Sequence, residues 1–308
     1  MNPISSIVLK MSESPAWQRR IGGWRVTRRV VRRFMPGEEL DDGIGAVRSL
    51  NERGFSASLN PVGEHVHSEA EAEAAAAQYV TILRRVRDEG LDSNLSVKLS
   101  LLGLDLGAEV AVANLTRVLE SAAEQNAFVR IDMESSGYVD PTLRIHERLR
   151  GRFPELGVVI QSYLKRSAAD VEALAAKGAA IRLVKGAYKE PPEIAFADKA
   201  DVDRNFAELM ERLLRDDARA AGVRLAVATH DAALVERGIE LARQRGIDAN
   251  LEFQMLYGIG RGLQEKTRAA GYPVRIYVSY GPAWYPWFMR RLAERPANLG
   301  FFLRHLFG

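Results

Sequence analysis

From Gly54 onward the chain repeats one unit eight times: a short apolar, β-branched run, a turn, then a longer segment with helical periodicity. The strand-like runs are GFSASLNPV, NLSVKLS, FVRIDME, GVVIQSY, AAIRLVKG, VRLAVATH, ANLEFQML and PVRIYVSYG. Helices are expected to open near Glu69, Gly107, Pro141, Ser167, Asp201, Asp231, Gly260 and Trp284, several behind a Ser or Asp able to cap the first turn. Such alternation implies a parallel sheet, because right-handed crossovers return each strand in the same direction. Eight units in about 240 residues fit closure into an α/β (β/α)₈ barrel. Alternation does not itself report closure, so an open doubly wound sheet stands as the alternative.

Residues 1–53 have a different texture. GGWRVTRRVVRRFMPG and EELDDGIGAVRSLNERG read as two or three helices that cover the barrel, leaving 54–308 as the barrel proper. The tail NLGFFLRHLFG, with Phe301, Phe302, Leu303, Leu306 and Phe307, reads as packing surface. Alanine-rich EAEAEAAAAQYV reads as a strong helix former.

Composition narrows the chemistry. With 47% hydrophobic and 27% charged residues the chain has material for a large core and is not a disordered protein. It has no cysteine, which excludes disulfides, thiolate metal sites, cysteine nucleophiles and iron–sulfur clusters; redox chemistry would need a bound organic cofactor. The five histidines form no metal-binding pattern, so no metal site is expected. The net charge of +3 is concentrated in Arg19, Arg20, Arg25, Arg28, Arg29, Arg32 and Arg33. That run is either a solvated helix face or a contact for an anionic surface. There is no 18-residue apolar run, and MNPISSIVLKMSESP lacks a signal peptide's charged start and long apolar core. A cytoplasmic protein is expected, with peripheral membrane contact left open and no nucleic-acid partner.

Barrel chemistry sits at the C-terminal ends of strands. Here those ends carry Lys98, Asp132-Met133-Glu134, Gln161, Arg182 with Lys185-Gly186-Ala187-Tyr188, Thr229-His230-Asp231, Gln254 and, on the eighth strand, Tyr277. Any one of these could be a surface residue or a satisfied ion pair; six polar strand ends together point to an active site. Lys185-Gly186-Ala187 can bring backbone N–H groups and a charge to an anionic group. GIGRG at 258–262 follows a strand but lacks the spacing of a dinucleotide fingerprint. The last helix, WYPWFMRRLAERPAN, sets Arg290 beside Arg291 with Glu294 one turn later. It reads either as an exposed basic helix or as a pair of forked donors for a carboxylate.

The motifs VKLS, RIDME, QSYLKRS, IRLVKGAYKE, ATHD, FQMLYGIG, RIYVSYG and WYPWFMRRLAERPAN resemble, in order and spacing, the proline dehydrogenase family over roughly residues 54–298. They are similar both to its short bacterial enzymes and to the corresponding barrel of bifunctional proline utilisation proteins. The resemblance implies a distorted (β/α)₈ barrel that holds non-covalent FAD and oxidises L-proline to 1-pyrroline-5-carboxylate. It also implies a quinone as electron acceptor and leaves room for a 1-pyrroline-5-carboxylate dehydrogenase as partner. By the same resemblance Lys98, Arg290 and Arg291 bind the proline carboxylate and Glu294 holds the arginine pair. Asp132 sits beside the substrate, connected to Lys98 and Tyr277, while Tyr188, Leu256 and Tyr277 line the ring pocket. Arg182 lies near the flavin N5 edge and Gln161 near its pyrimidine portion. Met133, Val184, Lys185, Gly186, Ala187, Thr229 and His230 follow the rest of the cofactor. Three positions depart from the family pattern. Trp287 stands where tyrosine is usual, which bears on discrimination against hydroxyproline; Lys165 and Asp231 stand where an apolar or aromatic residue and asparagine are common, which bears on cofactor contacts. The rival enzyme reading is a Schiff-base barrel aldolase or lyase using Lys98 or Lys185. A non-enzymatic rival, in which the arginine run binds membrane or nucleic acid on a degenerate barrel, fits poorly with so complete a set of mouth residues.

Overall fold

A computed structural model describes residues 31–247 and 251–284. Eight strands form a closed barrel in the order β1 to β8, every neighbouring pair parallel and β8 paired back to β1. Closure settles the choice against an open sheet. The strands are β1 (Ser56–Pro61), β2 (Ser93–Val97), β3 (Val129–Ile131), β4 (Leu156–Gln161), β5 (Ala180–Val184), β6 (Arg224–Ala228), β7 (Glu252–Leu256) and β8 (Val274–Tyr280). Around them lie α1 (Leu40–Glu52), α2 (Glu69–Asp88), α3 (Ala108–Ala123), α4 (Val139–Arg150) and α5 (Ser167–Ala175). The ring continues with α6 (Lys199–Leu213), the short α7 (Asp216–Ala220), α8 (Ala232–Gln244) and α9 (Arg261–Ala269). None of the helices among the described residues is long and apolar enough to cross a membrane.

The period-two alternation of each strand splits its side chains between two environments. Leu59, Val97, Ile131, Val158, Leu183, Val227, Phe253 and Val278 point outward and are buried beneath the helices. The helices supply matching apolar stripes, for example Tyr79, Ile82, Leu83 and Val86 on α2. Side-chain caps fix two of the helix starts: the Ser68 hydroxyl accepts from Glu71 N at 3.3 Å on α2, and Asp231 accepts from Ala233 N at 3.2 Å on α8. Gly238 lies mid-helix, at a cost of about 1 kcal/mol relative to alanine. A Cβ there would stand 3.2 Å from the Phe253 ring, so the glycine lets α8 lie close on β7.

Much of the inward set is polar. Ser58, Ser96, Arg130, Arg182, Glu252, Gln254, Arg275 and Tyr277 replace the branched apolar side chains that usually fill such a barrel. Arg182 of β5 contacts Ser58 of β1, Ser96 of β2, Asp132 after β3 and Gln254 of β7, which only an interior position permits. Lower down, Arg130 extends its guanidinium to the carbonyls of Val158 and Ala180, each at 3.4 Å, and lies 4.8 Å from the Phe128 ring. Gly157 leaves the space for it, since a Cβ there would meet Phe128 at 2.6 Å and Arg130 Nη1 at 3.1 Å.

α1 lies across the β8–β1 seam. Ile44, Val47 and Leu50 are its buried face, and a Cβ on Gly43 would come within 2.9 Å of Tyr280 and 3.2 Å of Leu59. A helix preceding the barrel thus covers the β8–β1 seam. Trp284, the last of the described residues, is helical and 7% exposed.

Candidate active site

At the C-terminal ends of the strands lies a cavity of about 860 Å³. It is lined by Lys98 of the β2 end, Asp132 and Met133 after β3, Gln161 of β4, Arg182 and Val184 of β5, and Lys185, Gly186, Ala187 and Tyr188 of the following loop. Thr229 and His230 after β6, Leu256 of β7 and Tyr277 of β8 also line it. These residues are spread over about 180 positions of sequence, and barrel closure alone brings them together. Arg290, Arg291, Glu294 and Trp287 lie outside the described residues, as do Arg19 to Arg29 of the basic run.

The centre of the site is an ion pair buried on the barrel axis. Arg182 Nη1 donates to Asp132 Oδ1 at 2.7 Å, with the two side chains 5% and 12% exposed. The Tyr277 hydroxyl donates to the other oxygen, Asp132 Oδ2, at 2.5 Å, and its ring lies 5.1 Å from the Arg182 guanidinium carbon. Burial, followed by the nearby Asp132 charge, pushes the Tyr277 phenol well above its usual range, so it stays a donor. Arg182 Nη2 donates to Ser96 Oγ at 3.0 Å, and its Nε to Gln254 Oε1 at 2.5 Å. A guanidinium engaged on three sides has its plane fixed by the protein.

Lys98 differs from the expectation. The family resemblance connects it with Asp132, whereas its Nζ pairs with Glu64 of the β1–α2 loop, and Asp132 takes its donors from Arg182 and Tyr277. The physical reason is reach: the loop after β1 folds over the mouth and brings a carboxylate to the lysine. His65, at φ 55°, donates from Nδ1 to Asp105 Oδ2 at 2.8 Å, and Tyr138 donates to Asp105 Oδ1 at 2.5 Å, tying that loop to its neighbours. Beneath it Glu134 accepts from Ser100 N at 3.0 Å and Ser100 Oγ at 2.5 Å, and burial pushes its carboxyl up.

The opposite flank is made of backbone and charge. Gly186 has φ 114°, a left-handed conformation that favours glycine, and a Cβ there would fall 2.2 Å from the Tyr163 ring. Lys185 Nζ lies between Asp203 at 2.5 Å and Asp231 at 2.7 Å. Burial opposes ionisation of Asp231, but Lys185 and then Lys199 outweigh it and bring its carboxyl down to about 2. His230 Nε2 accepts from Leu256 N at 3.0 Å, which binds the β6 end to the β7 end. Gln161 donates to Met133 O at 3.4 Å, while its buried Oε1 accepts nothing from the described residues. Lys165 turns away: its Nζ donates to Pro192 O at 2.7 Å, and it does not line the cavity.

Against known proteins this sequence gives a consistent answer. A family model described as proline dehydrogenase matches residues 44–304. Proline dehydrogenase 1 of Bacillus subtilis subsp. natto is 39% identical over 279 residues, covering 90% of this chain and 91% of the relative. The chain belongs to the proline dehydrogenase family. Another member, the proline dehydrogenase of Deinococcus radiodurans, is 38% identical, with 88% of each chain covered. Among solved structures, proline utilization A from Bdellovibrio bacteriovorus, inactivated by N-propargylglycine, superposes with a TM-score of 0.81 at 25% identity. The match covers 87% of this chain and 33% of that one, so this chain spans about a third of that protein's length.

Several residues of this proline dehydrogenase site escape a reading by strand ends. Ser58 and Ser96 lie inside strands, yet alternation with Asn60 and Lys98 places them on the same inward face, a signal that could have found them. Glu64, Asp203 and Lys199 are contributed by loops and a helix start, where no periodicity says which way a side chain turns.

Proposed function

We propose that the chain oxidises L-proline to 1-pyrroline-5-carboxylate, with non-covalently held FAD as hydride acceptor and a quinone as the onward acceptor. The observation that carries this is the Arg182–Asp132–Tyr277 constellation, buried at the barrel mouth of a chain in this family. The cavity suits a flavin nucleotide on its own evidence. Gln161 Oε1 is a buried acceptor without a donor among the described residues, and Gly186 forms a backbone cradle that a side chain would fill. Arg182, Gln161, Met133, Val184, Lys185, Gly186, Ala187, Thr229 and His230 would hold the FAD. Bound there, the isoalloxazine supplies an acceptor for two electrons and a hydrogen.

The chain's own residues account for the rest. Lys98, with Arg290 and Arg291, takes the substrate carboxylate by charge-assisted bonds, and Glu294 steadies the arginine pair. Lys98 is already balanced by Glu64, so a bound carboxylate needs the further positive charge that the arginine pair brings. Tyr188, Leu256 and Tyr277 enclose the ring and fix its approach. Oxidation removes a hydride from proline Cδ and a proton from nitrogen as the C=N bond forms. Both oxygens of Asp132 already accept donors, which favours an orienting role for it and water as proton acceptor.

The aldolase reading is weaker on this geometry. A nucleophilic lysine is activated by a desolvated or cation-flanked pocket. Lys98 and Lys185 instead each face carboxylates. The deciding experiment is the visible spectrum of the purified protein, supplied with FAD, before and after anaerobic L-proline. Bleaching of flavin absorption with formation of the imine supports the proposal; a colourless protein that ignores added FAD refutes it.

A further inference from the structure

Beneath the site runs a hydrogen-bonded line that has no need to be there for substrate binding. Arg275 of β8 donates through Nε to Glu252 Oε2 at 2.9 Å and through Nη1 to Ala57 O at 2.7 Å. Glu252 Oε1 accepts from Gln254 Nε2 at 2.5 Å, and Gln254 Oε1 in turn accepts from Arg182 Nε. Glu252 and Gln254 are two apart on β7, so both point inward. Gln254 is 3% exposed and Arg182 4%, whereas the Glu252 side chain is 25% exposed toward the other end of the barrel.

We infer that Gln254 is a positioning residue for Arg182, and that Glu252 sets which way its amide points. An amide can be turned over, but only one orientation satisfies both neighbours: the carboxylate takes the NH₂ group and leaves the carbonyl oxygen for the guanidinium. The consequence is electrostatic as well as geometric. Arg182 receives an acceptor from below without receiving a second negative charge, since the carboxylate is held back by the length of one glutamine. With Asp132 as its one ion-pair partner among the described residues, Arg182 keeps enough positive field to favour an electron-rich cofactor. A glutamate at 254 would satisfy the same hydrogen bond and cancel that field. The inference rests on the proposed FAD-dependent function.

The test exchanges the two residues. In the double variant Glu252→Gln with Gln254→Glu, every donor still meets an acceptor: Arg182 to the new carboxylate, the new amide to that carboxylate, and Arg275 to the amide oxygen. Only the negative charge has moved toward the cofactor. We expect the holoenzyme to keep its flavin and its melting temperature. The bound flavin should become harder to reduce by about tenfold in its two-electron equilibrium, or ~30 mV. The kcat should fall by about tenfold with KM for proline within about twofold. A folded, flavin-bearing swap with unmoved potential and kcat overturns the inference, because a purely structural line would be indifferent to where the charge sits. Should the swap fail to fold, Glu252→Gln alone decides: it removes the charge and keeps an acceptor for Gln254, so the potential should rise, and an unchanged or lower one overturns the inference. A wild-type chain that binds no flavin and leaves proline untouched sinks the proposed function itself, and this inference with it.

Discussion

Replacing Asp132 separates charge from geometry at the centre of the site. The asparagine of Asp132→Asn would have the same shape: its Oδ1 can still accept from Arg182 Nη1, and its NH₂ can face a Tyr277 hydroxyl that turns to accept. What disappears is the charge. Bonds to a charged partner are worth about 1.5–3 kcal/mol against about 0.5–1.5 for neutral ones. The Tyr277 bond becomes neutral, and the Arg182 bond keeps its charged donor but loses its ion pair; the two changes together cost about 2–3 kcal/mol. If that loss is felt in the transition state, kcat/KM falls about 30- to 150-fold, at about 1.4 kcal/mol per factor of ten. Asp132→Ala removes the charge and both acceptors, so the buried guanidinium loses its counter-ion and its hydrogen bond together, a change worth about 3–5 kcal/mol. The alanine variant should thus be the worse by about tenfold or more and should melt lower. Steady-state kinetics with proline, read beside flavin content and thermal melts, distinguish the two. Asparagine and alanine variants that both retain flavin and lie within twofold of wild type would refute the reading.

Arg291→Met should raise KM for proline strongly, since truncating one partner of a buried charged pair costs about 2–5 kcal/mol; an unchanged KM removes Arg291 from the carboxylate clamp. Trp287→Tyr should alter the ratio of kcat/KM for proline to that for hydroxyproline, and identical ratios would show that this position does not sense the ring. Gly186→Ala should lower flavin retention on gel filtration, because its Cβ would fall 2.2 Å from the Tyr163 ring at φ 114°; full retention would place the cradle elsewhere. His146 is fully buried on α4, and burial holds its ring at about 4, below the ordinary 6.5. The unfolded chain therefore binds the extra proton between those values, and stability is lost as pH falls through that window. That makes about 2 kcal/mol of loss from pH 7 to pH 5. His146→Leu should flatten this part of the urea-denaturation profile, and a slope equal to wild type would dismiss His146 as its source.

What can be read in the sequence follows from how each signal arises. Alternation of strands and helices marks the eight units, and helix starts at Glu69 and Ser167 and caps at Gly107, Asp231 and Gly260 coincide with the structure. Local chemistry specifies those positions. Two starts are offset by two residues, Val139 for Pro141 and Lys199 for Asp201, and the short α7 carries no sequence signal of its own, because none of the three opens on a side-chain cap. The mouth residues are legible because strand ends in a barrel face one place. The Lys98–Glu64 pair is not, since the path of the β1–α2 loop is set by contacts such as His65 with Asp105, forty residues apart.

The polar axis ties this barrel's stability to its chemistry. Arg130, Arg182 and Arg275 occupy interior levels where leucine or valine would be cheaper to bury, and each needs partners drawn from several strands. Arg182 alone draws on residues of β1, β2 and β7 and on Asp132 after β3, so the groups that orient it are also the groups that hold the barrel in register. An apolar filling could stabilise the barrel as well or better, as replacements of buried ion pairs elsewhere have done, but it could not present a fixed positive charge at the mouth. Substitutions along the axis that leave one of its arginines without a partner should therefore register in melting temperature and catalysis together, whereas those at the rim, such as Lys185 between its two carboxylates, should move cofactor binding with little effect on the barrel.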